Sequence, residues 1–149
     1  MLKKYRFGFD VSGLAIFLIV MIPNFIWFAF PAPNDILRNE SATAIVDTIS
    51  TICQVLFVGF LCFIVNKERD KLRFSPLIIL AAICIFLYFA GWILYYTGMT
   101  NPLVIIMLTL PPCLAFVFFV MDRKNMMAVV PAVCFMICHL IYGVVNFIL

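Results

Sequence analysis

Four polar side chains share one face of an otherwise apolar stretch, residues 44–65. They follow the spacing i, i+3, i+4 and i+7, which forms a stripe about two turns long on an α-helix: Asp47, Ser50, Thr51 and Gln54. Hydrocarbon offers hydroxyl, amide and carboxylate groups no hydrogen-bond partners, so the stripe must face other helices or water. These residue types suit hydrogen bonding and charge pairing with a small solute or ion.

A second polar face lies near the C-terminus, where His139, Tyr142 and Asn146 are spaced i, i+3 and i+7. At a rise of about 1.5 Å per residue, this face reaches the same half of the membrane as the first stripe. Asn24 reaches a similar depth, and a bend at Pro23 would turn it towards the stripe. We therefore expect one ligand-binding pocket lined by Asn24, Asp47, Ser50, Thr51, Gln54, His139, Tyr142 and Asn146.

Each of these residues also has a structural explanation, because polar pairs hold membrane helices together at about 0.6–2 kcal/mol per pair. Helix bonding is the simpler interpretation for Ser50, Thr51 and Asn146 taken singly. For Asp47 we favour a binding role, since a carboxylate is costlier to keep in a membrane than a hydroxyl. Asp47 also lies near a helix N-terminus, where the dipole favours negative charge. For His139 the two interpretations are balanced.

The composition, with 66% hydrophobic and 11% charged residues, lies far from that of soluble proteins. Crossing about 30 Å of hydrocarbon takes roughly 20 helical residues, so the 149-residue chain has no room for a soluble domain. Ser75 before Pro76 and Asn101 before Pro102 mark helix starts, as capping residues followed by proline at the first helical position. We predict an all-α membrane protein, a single five-transmembrane-helix bundle with spans of approximately 11–30, 44–65, 76–97, 102–121 and 127–149.

The cationic residues indicate an orientation in the membrane. Nine of the ten fall in three segments: Lys3, Lys4 and Arg6; Lys67, Arg69, Lys71 and Arg73; and Arg123 and Lys124. If these segments share one side, the positive-inside rule places the N-terminus in the cytoplasm and the C-terminus outside. This charge marks topology rather than nucleic-acid binding. The compact size favours the cytoplasmic membrane of a bacterium.

Aromatic residues give a related expectation. With this orientation Trp27, Trp92, Tyr95 and Tyr96 fall near the outer interface, as in an aromatic belt. The loop 31–43 is the outer connection of greatest length and is expected to join the first two spans.

The chain carries no catalytic motif of the hydrolase, zinc-protease or phosphate-binding kinds. Its single histidine excludes a site with several histidine ligands, and we expect no cofactor and no metal. The six cysteines lie within the predicted spans without a C-x-x-C pair, which favours packing over redox chemistry: Cys53, Cys62, Cys84, Cys113, Cys134 and Cys138.

The leading functional hypothesis is therefore non-enzymatic. The protein is expected to bind or translocate a small solute or ion through an outward-facing polar pocket, with the lipid bilayer as its surroundings. The alternative is an accessory, immunity or assembly protein that packs against a larger membrane partner or a second copy of itself. In that case the polar faces would serve only to bond helices together.

Overall fold

The computed structural model describes residues 2–68 and 74–149, and in them five long helices form one bundle. Arg69, Lys71 and Arg73 of the second basic segment lie outside the described residues. All five helices are long and apolar enough to cross a membrane, which confirms the prediction of an all-helical fold with five long apolar helices. They are α1 (Val11–Ala29), α2 (Ala44–Phe63), α3 (Pro76–Tyr96), α4 (Pro102–Asp122) and α5 (Met126–Phe147).

Side-chain caps start four of these helices. The Ser75 hydroxyl accepts a hydrogen bond from the Ile78 N–H, and the Asn101 side chain accepts one from the Val104 N–H. In both helices proline occupies the first position, where its missing N–H costs no intrahelical bond. The side chains of Asp10 and Asn125 cap α1 and α5 in the same way.

The second helix ends at Phe63, two residues before the predicted end of its span at 65. The chain leaves the helix there because residues Ile64–Asn66 form a strand, β2, that pairs antiparallel with β1, Tyr5–Phe7. The N-terminal lead, expected only as a short basic segment, thus forms part of a two-stranded sheet. The first and fifth helices also end slightly early, at Ala29 and Phe147.

Helix α4 lies at the centre of the bundle. Its 18-residue apolar window is 67% buried, against 22–28% for the other four helices. It packs along its length against α3 and α5, and α5 packs in turn against α2. Helix α1 makes only sparse contacts with α2, α3 and α4, so it is the least tightly packed member of the bundle.

Small residues allow α4 to approach its neighbours closely. A Cβ atom added at Gly143 of α5 would lie 2.6 Å from Thr109 Cγ2 on α4. A Cβ atom added at Gly91 of α3 would lie 2.8 Å from Met107 Cβ. Any larger residue at these positions would therefore push α5 or α3 away from the central helix.

The described parts of the three basic segments meet at one end of the bundle. The Tyr5 hydroxyl and the Asn66 amide both donate hydrogen bonds to the Lys124 carbonyl, at 3.2 and 3.0 Å. Asn125 Nδ2 donates to the carbonyls of Phe60 and Ile64 at 2.9 and 2.8 Å, which ties the turn before α5 to the end of α2. We call this the basic end, and the opposite end, which carries residues 30–43, the loop end.

A buried ion pair also holds the basic end together. Arg123 Nη2 lies 2.7 Å from Asp10 Oδ2, and the two side chains are only 5% and 8% exposed. The other carboxylate oxygen of Asp10 accepts the N–H groups of Ser12 and Gly13 at the start of α1. One aspartate therefore both caps α1 and joins it to the end of α4. The sequence pattern indicated Arg123 only as a topology signal and did not predict this pair.

Candidate functional site

A cavity of about 430 Å³ lies between the five helices, in the half of the bundle nearer the loop end. Seven of the eight residues predicted to form the pocket line it: Asn24, Asp47, Ser50, Thr51, Gln54, His139 and Tyr142. The two polar faces identified in the sequence therefore border one space. Its size falls within the range of about 300–1,000 Å³ typical of small-molecule sites.

Asn146 does not line the cavity. Its Nδ2 donates to Thr43 Oγ1 at 2.8 Å, and its Oδ1 accepts the Ala42 N–H at 2.6 Å. These two bonds fasten the end of α5 to the residues just before α2. The structure therefore corrects the prediction for Asn146, which is absent from the lining although the next residue, Phe147, belongs to it. Both side-chain polar atoms of Asn146 are used in joining these segments.

The stripe on α2 divides into paired and unpaired groups. Asp47 Oδ1 accepts a hydrogen bond of 3.0 Å from Thr43 Oγ1, and the Thr51 hydroxyl donates to the Asp47 carbonyl at 2.9 Å. The side chains of Ser50 and Gln54 make no hydrogen bond within the described part of the chain. Ser50 is 7% exposed and Gln54 is partly buried, so these groups border the cavity without a protein partner.

The wall formed by α5 is a column of stacked rings. The rings of Phe135 and His139 are 5.2 Å apart, those of His139 and Tyr142 are 6.0 Å apart, and both pairs are inclined by only 16°. The spacing i, i+4, i+7 produces this column on one face of the helix. The His139 ring nitrogens and the Tyr142 hydroxyl make no hydrogen bond among the described residues. The column therefore offers both aromatic surface and unpaired polar atoms to the cavity.

The opposite wall comes from α1 and α3. Asn24 Nδ2 donates to the Tyr88 hydroxyl at 2.7 Å, which links the two helices across the cavity. Trp92 is only 6% exposed, and its Nε1–H is buried without an acceptor within the described residues. An unpaired buried N–H of this kind costs about 1–3 kcal/mol unless something in the cavity accepts its hydrogen bond.

Two of the residues expected in an aromatic belt lie inside the bundle. Trp92 and Tyr95 are 6% and 0% exposed, so the interpretation as interfacial anchors is wrong for this pair. Both side chains follow the face of α3 that packs against the other helices. The position of an aromatic residue in the sequence predicts its depth along the helix. Whether its side chain faces lipid or the interior of the bundle depends on how the helices pack.

The loop between α1 and α2 folds over the cavity, which the sequence did not predict. Asp35 accepts hydrogen bonds of 2.9 Å from both Trp27 Nε1 and the Tyr95 hydroxyl, and one of 2.8 Å from Arg38 Nε. The Arg38 guanidinium lies 4.9 Å above the Trp27 ring, at cation–π distance. The short 3-10 helix Ile36–Arg38 is held in place by these contacts, and Leu37 within it lines the cavity.

Asp47 is the only carboxylate among the lining residues, and none of them is a lysine or an arginine. Within the described ranges, no group of three or more His, Cys, Asp and Glu side chains is placed to hold a metal ion. Comparison with models of known protein families, with curated proteins and with solved structures found no significant match.

Proposed function

We propose that this chain is a multi-pass membrane protein that binds or translocates a small solute or ion in the cavity between its helices. The cavity lies in the half of the bundle nearer the loop end, and all five helices contribute polar residues to it. The proposed role needs no covalent chemistry from the protein. It requires only that a ligand reach the cavity and find its hydrogen-bonding groups unoccupied.

One observation carries this proposal: several of the polar groups that line the cavity have no protein partner among the described residues. Within the described chain, no hydrogen bond is made by the side chains of Ser50, Gln54, His139 or Tyr142, or by Trp92 Nε1. Groups that served only to join helices would be paired, because an unpaired polar group costs about 1–3 kcal/mol. A water-filled or ligand-filled cavity supplies the missing partners.

The proposed orientation opens the cavity to the outside of the cell, with the N-terminus in the cytoplasm. It rests on the nine-to-one distribution of Lys and Arg in the sequence and on the meeting of the described basic segments at one end. A compact protein of this kind fits the cytoplasmic membrane of a bacterium. The positive-inside rule then assigns the loop end to the outer side.

The alternative proposal, an accessory or assembly protein, is favoured by a different observation. Asn146, Thr43 and Asp47 form a chain of hydrogen bonds between α5 and α2, so part of the polar set does join helices. Helix α1 is also loosely packed, which would suit a partner helix. The two proposals make opposite predictions for the polar residues that are not paired.

Substitution of unpaired and paired residues discriminates between them. Gln54→Leu and His139→Phe remove polar atoms that make no bond to the protein and conserve volume or stacking. Asn146→Leu removes three hydrogen bonds, two to the residues before α2 and one to the Tyr142 carbonyl. Each purified variant is heated with a panel of small amines, acids, alcohols and inorganic ions, since a bound ligand raises the melting temperature by mass action.

If the cavity binds a solute, the wild type and Asn146→Leu respond to the same compounds, although Asn146→Leu melts at a lower temperature. Gln54→Leu and His139→Phe keep the wild-type melting temperature and lose the response. The binding function is contradicted if both of these variants unfold as readily as Asn146→Leu. It is also contradicted if no compound stabilises the wild type, and the accessory role is then favoured.

A further inference from the structure

The cavity wall carries one negative charge, which is not balanced by a neighbouring lysine or arginine. Asp47 Oδ1 accepts a hydrogen bond from Thr43, while Oδ2 receives none within the described residues. The cation nearest in sequence, Arg38, pairs with Asp35 and covers the Trp27 ring instead. A ligand with a positive charge would therefore gain a charge-assisted contact that a neutral or anionic ligand would not.

Besides the polar side chains already described, much of the wall is aromatic or apolar. The stacked column of Phe135, His139 and Tyr142 borders one side, and Trp27, Tyr88 and Trp92 border the other. Aromatic faces attract cations through the ring quadrupole, and their edges and faces also pack well against an apolar body. A strongly hydrated inorganic ion would find a single carboxylate here and would gain little from the aromatic surface, whereas an organic cation fits both features.

We propose that the ligand class is a small organic cation, an amine or quaternary ammonium with an apolar body. Its charged group lies at Asp47 and its body lies between the two aromatic walls. This inference rests on the proposed function, because it names the chemical class of the solute that the cavity binds. It adds a selection by charge, which the binding function alone does not require.

The protein carries its own reporter for this test. It has two tryptophans, Trp27 and Trp92, and both line the cavity. Intrinsic tryptophan fluorescence therefore responds to an occupant of the cavity without any label. The probes are phenethylamine, which is a cation at neutral pH, and phenethyl alcohol, which is nearly the same size and neutral. Both are titrated into the full-length protein in lipid nanodiscs, with empty nanodiscs as the blank for partition into lipid.

We expect saturable binding of phenethylamine to the wild type, at least about tenfold tighter than that of phenethyl alcohol, because a hydrogen bond to a charged group is worth about 1.5–3 kcal/mol. Asp47→Asn keeps an oxygen for Thr43 but lacks the charge, so it should bind both probes with similar, weak affinity. Asp47→Glu should keep most of the preference for the amine. Glu40→Gln, which removes an exposed carboxylate of the same loop end, should bind like the wild type.

The outcomes separate the inference from the proposed function. Equal binding of amine and alcohol to the wild type, or stronger binding of the alcohol, overturns selection by charge and leaves the binding function standing. Retention of the preference for the amine in Asp47→Asn overturns the assignment to this carboxylate. If neither probe binds saturably at millimolar concentration, the organic-cation class is overturned, while the wider panel of solutes still tests the binding function. The comparison of the two probes on the wild type needs no variant to fold.

Discussion

The Tyr95 hydroxyl, on a side chain that is completely buried in α3, donates a hydrogen bond of 2.9 Å to Asp35 in the loop over the cavity. The same hydroxyl accepts the Leu37 N–H at 3.2 Å. One phenol therefore fixes two positions of the loop to the bundle. Because Leu37 lines the cavity, the position of this part of the loop determines how closed the cavity is at the loop end.

Tyr95→Phe should loosen this loop. The substitution removes two hydrogen bonds and leaves the packing of the ring intact. We therefore expect the free energy that favours the closed loop over the open loop to fall by about 1–2 kcal/mol. Trypsin cleavage after Arg38 should accelerate roughly fivefold to thirtyfold, since cleavage follows the population of the open loop. Glu40→Gln, exposed in the same loop, is the control. Cleavage at an unchanged rate would mean that Tyr95 does not hold the loop closed.

Reporter fusions test the orientation. A reporter that is active only in the cytoplasm should give signal when fused after Arg73 and none when fused after Thr97 or at the C-terminus. The reason is that Lys and Arg concentrate in segments expected on one side of the membrane. Placing one such charge at the centre of a membrane helix costs roughly 2.5–3.5 kcal/mol, so these segments resist crossing. Signal at the C-terminus would contradict a fifth crossing, and signal after Thr97 would contradict the third.

The buried pair of Asp10 and Arg123 should dominate the stability of the basic end. Asp10→Asn retains an oxygen to cap α1 but removes the carboxylate from the buried guanidinium, so we expect a loss of roughly 3–5 kcal/mol. Glu68→Gln removes the exposed ion pairs with Lys4 and Lys124 and should cost no more than about 1 kcal/mol. Denaturant titration in mixed micelles measures both. Equal costs for the two variants would show that burial does not strengthen the Asp10 contact.

Substitutions at Gly143 and Thr109 should have strongly non-additive effects on the stability of the bundle. Gly143→Ala places a methyl group 2.6 Å from Thr109 Cγ2 and should destabilise the bundle by about 1–3 kcal/mol through overpacking. Thr109→Ser removes that methyl group of Thr109, so the double variant should recover most of the loss. Gly59→Ala is the control, since nothing lies within 4 Å of its added Cβ. Additive effects in the double variant would place the strain elsewhere.

Sequence periodicity was informative wherever the membrane leaves few choices. An apolar run of about 20 residues in hydrocarbon must form a helix, because every backbone polar group has to be bonded within the segment. For the same reason a stripe of polar residues such as Asp47 and Gln54 must face inward, and depth along a helix follows from residue count. The five helices and the lining of one cavity by two polar faces followed from these constraints.

Packing between helices depends on shape and partner geometry, which periodicity does not encode. Asn146 has the right spacing for the cavity, yet its amide bonds the residues before α2. Tyr95 lies at interfacial depth, yet the direction of its helix face places it inside the bundle. The contact between Asp10 and Arg123 joins positions 113 residues apart, and no local pattern connects them.

The sequence by itself determined the five long apolar helices, which are able to cross a membrane, and the inward polar faces. The reason is that the cost of exposing polar groups to hydrocarbon acts on each segment separately. Tertiary structure alone decided that the loop between α1 and α2 folds over the cavity through Asp35. It also decided which polar groups, such as Gln54 and Trp92 Nε1, meet no hydrogen-bond partner among the described residues. These features depend on the relative positions of several helices at once, which the free energy of the whole bundle sets.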